Sequence, residues 1–170
     1  MSKFKNLSTI ILAVILAVLL GYFLLGAREL KTPELKNLVK VYFVKYDEQN
    51  PRIEAVKRNV PSGDTKINVA VTELLKGPSQ SEIEEGYRTE IPASAKLKSI
   101  LQDDGKVIIN LSKGFESGGG SLSMSIRTSQ LTKTVNGAAG NSLVYLEIEG
   151  RQIEAVGGEG VMINQPLNKK

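Results

Sequence analysis

Glu82, Glu84 and Glu85 form an acidic cluster, the first place to look for acid–base chemistry in this chain. Two carboxylates can run such chemistry when the environment of one raises its pKa and keeps it protonated. Here the three fall on a short segment expected to be a solvated helix, where nothing raises a carboxyl pKa. Asp103 and Asp104 are explained by a turn alone. No spacing of carboxylates matches a calcium loop. A carboxylate-only hydrolase needs an acidic pair flanking a cleft, and the acidic residues read instead as turn and surface charges.

Other chemistries fail for want of residues. The 170-residue chain has no His, no Cys and no Trp. That excludes a Ser–His–Asp triad, a cysteine nucleophile, a Cys/His zinc site, a disulfide and the usual ligation of haem or iron–sulfur clusters. No catalytic residue, metal or cofactor is therefore expected. The run Gly118-Gly119-Gly120-Ser121 before a helix could present backbone N–H groups to an anion, but no lysine follows to make a phosphate loop. It reads as a flexible crossover loop with Ser121 as helix N-cap. Tyr42, Tyr46, Tyr87 and Tyr145 could stack on a sugar or a peptide. With Gly118, Gly119 and Gly120, the tyrosines Tyr42, Tyr46 and Tyr87 make up the candidate interaction surface.

Charge is unevenly placed. Every acidic residue lies at Glu29 or later, and only Lys3 and Lys5 of the basic residues precede Arg28. The rest of the chain is close to neutral, and no basic stripe with interleaved aromatics appears, so nucleic acid is not an expected partner. Residues 6–27 carry no charge. As a helix they would span about 33 Å, enough to cross a hydrocarbon core of about 30 Å. Leu7, Ile10, Leu20 and Leu25 mark this expected transmembrane segment. Lys3 and Lys5 place the N-terminus in the cytoplasm and the remainder outside. The run is too long for a cleaved signal peptide. Arg28 stands where a lipobox needs Cys, which excludes lipid anchoring there. The expected organisation is a cytoplasmic tip and signal anchor over 1–27, a tether over 28–39 and an extracytoplasmic domain over 40–168.

Within that domain, residues 41–46 are β-branched and aromatic and predict a strand, with a hairpin partner over 53–60. Pro51 belongs to the turn between them. Ile67, Ala70, Val71, Leu74 and Leu75 recur at helical spacing over 65–76, with Ser62 or Asp64 as N-cap and Gly77-Pro78 as the stop. Residues 79–85 make a short helix. Residues 97–102 and 106–111 pair across Asp103-Asp104-Gly105. A helix over 122–135 carries Met124, Thr128, Leu131 and Val135 on one stripe, and 137–140 is a loop. Residues 143–148 and 151–156 form a last hairpin across Glu149-Gly150. The order ββ-α-ββ-α-ββ predicts a single α+β domain of mostly antiparallel hairpins with helices packed on the sheet. No βαβ unit is expected.

One ordered set of motifs resembles a known family. It runs from Leu74-Leu75-Lys76-Gly77-Pro78 and Glu90-Ile91-Pro92 through Asp104-Gly105-Lys106-Val107 to Leu111-Ser112. It continues with Phe115, Gly118 to Ser121, Leu131-Thr132, Val144 to Gly150 and Gln165-Pro166-Leu167. Together these resemble the GerMN domain of bacterial sporulation and spore-germination proteins, over about residues 41–167. The resemblance implies an extracytoplasmic, membrane-tethered envelope protein with no catalytic residues to carry over. It implies a fold similar to the ring-building motifs of the apparatus between mother cell and forespore, which pack through helix–sheet faces. Lipoprotein members carry a lipid-bearing Cys where this chain has an uncharged helix, and some members have two domain copies where this chain has one. The expected function is a membrane-anchored scaffold that assembles with envelope proteins or with itself. The alternative is an accessory module binding the cell wall or a small ligand.

Overall fold

The computed structural model describes residues 14–22, 37–46, 50–158 and 160–169. The chain divides into two compact units, Met1–Lys36 and Asn37–Lys170. In the first, residues 14–22 are helical and Leu20 is exposed. Among the described residues no helix is long and apolar enough to cross a membrane. Leu7, Ile10 and Leu25 of the expected span lie outside the described residues.

The second unit opens with β1 (Leu38–Tyr46), whose Val39, Val41, Phe43 and Val44 are buried. It pairs antiparallel with β2 (Pro51–Asn59) along its whole length, from Leu38 opposite Asn59 to Tyr46 opposite Pro51. Pro51 thus starts the strand rather than closing the turn, a position where a missing N–H is tolerated. Helix α1 (Lys66–Lys76) buries Ile67, Ala70, Val71 and Leu74. Its cap is Thr65, which accepts the Asn68 N–H at 3.3 Å, not Ser62 or Asp64. Thr65 stands immediately before Lys66, the first helical residue, which is the place from which a side chain reaches the third helical N–H. Gly77, at φ +85°, ends the helix. A reciprocal Ser79–Glu82 capping box starts α2 (Gln80–Glu84), and β3 (Tyr87–Arg88) then adds to β1.

The second sheet has the order β4-β5-β6-β7. Strands β4 (Leu97–Asp103) and β5 (Lys106–Leu111) pair across Asp104-Gly105, where φ is positive at both residues (38° and 72°) as a tight hairpin turn requires. A 3-10 turn (Lys113–Glu116) buries Phe115. The 18-residue helix α3 (Ser121–Ala138) follows, and β6 (Leu143–Ile148) then lies parallel to β5. This corrects the expectation of hairpins without a βαβ unit. The helix, about 27 Å long, carries the chain back to the start of β5, so the next strand must run the same way. Both strands alternate, with Val107, Ile109 and Leu111 on β5 and Val144, Leu146 and Ile148 on β6 buried on one shared face.

Three smaller corrections remain. Gly120, not Ser121, is the N-cap of α3, and it has no side chain with which to cap. Gly137 and Ala138 belong to the helix rather than to a loop. The last hairpin shrinks to two pairs between β6 and β7 (Arg151–Gln152), after which β8 (Ala155–Val156) pairs with β9 (Val161–Met162). The cause of that shortening is the C-terminal segment. Gln165 accepts the Leu146 N–H at 3.1 Å and donates to Leu146 O at 2.9 Å and Ile153 O at 3.2 Å. Asn168 accepts the Val144 N–H at 3.0 Å, and the Leu167 N–H reaches Val144 O at 2.7 Å. The edge a longer β7 would occupy is therefore taken.

Candidate functional site

The expected interaction residues converge on a polar seam between β1, the segment 89–91 and α3. At its centre is Arg127, 2% exposed on the apolar stripe of α3. Its guanidinium donates to Glu90 O at 2.8 Å, Phe115 O at 2.6 Å, and Ser117 O and Gly118 O at 3.2 Å each. Burial pulls its pKa down, and the Glu90 charge opposes that. The side chain of Glu90 accepts the Ser123 hydroxyl at 2.6 Å and also the Tyr46 hydroxyl. The Tyr46 pKa is pushed up to about 12, first by partial burial and then by the Glu90 hydrogen bond and charge. Tyr46 is thus a neutral donor near neutrality and no nucleophile.

Gln130, fully buried, completes the seam. It accepts the Glu90 N–H at 2.9 Å and donates to Tyr42 O at 3.1 Å and Thr89 Oγ1 at 3.3 Å. Thr134 accepts the Tyr42 N–H at 3.0 Å. Strand β3 covers only Val44 and Lys45 of β1, so these two helix side chains satisfy the strand edge where β3 has ended.

The structure therefore links Tyr42, Tyr46 and Gly118 through Glu90, Arg127 and Gln130. Tyr87 joins only by register, opposite Lys45, whose ammonium lies 4.2 Å from its ring centroid. Gly118 and Gly119 adopt φ of +65° and +79°, and a Cβ on Gly119 would sit 2.5 Å from Ser123 Oγ. The loop glycines are there for backbone shape. Arg127, Gln130 and Thr134 were not singled out from sequence, and Glu90 stood out only as part of the motif Glu90-Ile91-Pro92. The available signal was their phase: Arg127, Gln130 and Thr134 share the buried side of α3 with Met124, Leu131 and Val135.

A second cluster corrects the reading of the acidic helix as merely solvated. Arg58 on β2 grips Glu82 with two 2.6 Å bonds and Glu73 at 3.1 Å, and Lys76 also reaches Glu73 at 2.7 Å. The Arg58 side chain holds the Glu82 carboxyl at about 2, well below its ordinary value, against the opposing effect of burial. A carboxylate pinned ionised is the reverse of a general acid. Among the described residues no group of acidic side chains could hold a metal ion.

The face of the second sheet opposite the core carries three rows across the strands. Leu101, Ile108 and Tyr145 form an apolar middle row, with Leu101 58% exposed. Asp103, Lys106 and Leu143 flank it on one side, and Ser99, Asn110, Glu147 and Gln152 on the other. A hollow of about 330 Å³ lies between Leu101, Asp103, Asp104, Lys106 and Ile108. Two hollows of about 390 and 400 Å³ follow α1 past Thr72, Lys76 and Leu97, away from the tyrosines.

Comparisons with known proteins agree with this architecture. The first GerMN domain of the sporulation protein GerM from Bacillus subtilis matches with a TM-score of 0.58 and 20% identity, over 75% of this chain and 93% of that one. The tandem GerMN domains of the same protein match with a TM-score of 0.54 and 20% identity, over 78% of this chain and 46% of that one. A putative lipoprotein from Clostridium perfringens matches at 24% identity with a TM-score of 0.48, over 71% of this chain and 80% of that one. No curated protein matches the sequence. The sequence pattern described as "Germane: Sporulation and spore germination" covers residues 40–154, and the chain belongs to that family.

Proposed function

We propose that this chain is a membrane-anchored extracytoplasmic scaffold that acts by protein–protein assembly in the cell envelope. The observation that carries the reading is the outer face of the second sheet, with its apolar row Leu101–Ile108–Tyr145, open at Leu101, flanked by polar side chains and by the exposed Leu143. An apolar surface rimmed by polar side chains is the make-up of a contact surface. The polar seam, in contrast, is spent on the fold: its donors and acceptors satisfy one another and the backbone. Membership of a sporulation and spore-germination family is consistent with an envelope role. The uncharged run over 6–27 behind Lys3 and Lys5 supplies the anchor, with the N-terminus inside and the domain outside.

The test has two arms. The chain has no cysteine, so Ser125→Cys on the exposed side of α3 gives a unique thiol. A membrane-impermeant maleimide labels it in intact cells; labelling only after permeabilisation overturns the topology. Amine-reactive crosslinking in cells gives bands larger than the chain; their absence overturns assembly. The second reading, a cell-wall-binding module, rests on the exposed ring of Tyr46. Sedimentation with purified peptidoglycan decides it, and no enrichment in the pellet counts against it.

A further inference from the structure

Sheet edges invite pairing with another chain, and folded proteins blunt them with short strands, charges or covering segments. In this domain β3 and β7 are two residues long. The other long edge, β2, begins with Pro51 and carries Arg52, Glu54, Lys57 and Arg58. The edge of β6 is covered by Gln165, Leu167 and Asn168. Strand β4 differs. Among the described residues it pairs with β5 alone. Of the edge strands in the two larger sheets, it alone has a large exposed apolar side chain, Leu101 at its middle.

We infer that β4 pairs antiparallel with β4 of a second copy of this chain, with Leu101 opposite Leu101. This rests on the assembly reading above and names its partner. A two-fold axis perpendicular to the sheet keeps both outer faces on one side, so each residue must meet one that points the same way. Centring on Leu101 satisfies this. The apolar row then runs unbroken through six strands, from Tyr145 and Ile108 of one copy to those of the other. The same register sets Ser99 opposite Asp103, two small polar side chains, on both sides of the axis, while Lys98 stays bound to Glu149 of its own copy. Centring on Ile100 satisfies the facing rule too, but it sets Leu101 against Ser99, losing the apolar row. The register shift at Lys98 confines flat pairing to residues 99–103. Such a contact is at the small end of interface sizes, so it is weak in dilute solution and strengthens when anchored copies share a membrane.

The test uses the full chain in its membrane. Leu101→Cys is expected to form a disulfide-linked dimer under copper–phenanthroline oxidation, because directly opposed side chains sit within bridging distance. Thr72→Cys on the exposed side of α1 is expected to stay monomeric under the same conditions. A second variant reads the contact without oxidation. Leu101→Lys, tagged on two separable copies, is expected to lower co-purification of one copy by the other at least about tenfold, since two apolar side chains leave the contact and like charges meet. Equal crosslinking at positions 101 and 72, or undiminished co-purification of Leu101→Lys, overturns the proposal. If those results come while amine crosslinking still gives large complexes, the pairing fails and the assembly reading stands. If no complexes form at all, both fail.

Discussion

Two arginines hold this domain together in opposite ways. Arg58 bridges β2 to α1 and α2 and meets carboxylates, with 17% of its side chain exposed. Arg127 is 2% exposed and meets mainly main-chain carbonyls. The difference shows in their acidities. Glu82 and Glu73 push the Arg58 pKa up, whereas burial pulls that of Arg127 down. An arginine among carboxylates at the rim of the fold, mostly covered but still reached by solvent, makes an ion cluster that water and salt can partly replace. A buried one bound to carbonyls is a structural pin, because its own charge has no water to turn to and the Phe115 carbonyl it serves is buried with it. The fixed fork of guanidinium donors suits that task and an ammonium does not.

The contrast predicts unequal costs. Arg127→Met leaves the carbonyls of Phe115, Ser117, Gly118 and Glu90 without a donor and should destabilise the chain by about 4 kcal/mol in urea unfolding. Arg127→Lys should recover less than half of that. A loss below about 1 kcal/mol would show that Arg127 is not a pin.

The Arg58 cluster is tested by acid. Glu82 sits at about 2 in the folded chain against an ordinary value of 4.5. Its stabilisation is therefore complete above pH 4.5 and is lost as pH falls toward 2, on the order of 2 kcal/mol. Glu82→Gln should abolish that part of the acid dependence, as read by thermal melts across the window. High salt should weaken the wild-type cluster and leave the Arg127 seam unchanged.

Gly119→Ala probes the loop that Arg127 holds. A methyl group at φ +79°, 2.5 Å from Ser123 Oγ, should cost about 1–2 kcal/mol in the same unfolding assay. A neutral result would mean that the loop can shift without releasing Arg127.

Tyr46→Phe should have the smallest effect, below about 1 kcal/mol, since the hydroxyl is near solvent. Its signature is spectroscopic. One tyrosine should ionise near pH 12 in an absorbance titration and vanish in this variant. Because the unfolded chain ionises there near 10, the Tyr46 contribution is present below pH 10 and fades as pH climbs to 12.

Much of the fold was legible along the chain. The stop at Gly77-Pro78, the turn at Asp104-Gly105 and the alternation of β5 each arise from residues within a few positions of one another. Helix α3 was placed by its apolar stripe, and Met124, Leu131 and Val135 are buried as expected, whereas Thr128 is only half-buried. The candidate surface was half legible. Tyr46 was found, but Glu90, its partner, lies 44 residues away. A glutamate before Ile91-Pro92 carries no local mark of that role.

The sequence alone determined the longer elements, the exclusion of histidine and cysteine chemistry, and the family. Backbone conformation is set by neighbours within one turn of helix or one hairpin, so those signals survive without the fold. Tertiary structure alone decided that β6 runs parallel to β5, that Glu82 is spent on Arg58, and that Arg127 and Gln130 are interior. Gln130 reaches Tyr42 across 88 positions, and Thr134 reaches it across 92. No local rule spans such distances, because a buried polar side chain is chosen by whatever unsatisfied group the packed chain brings beside it.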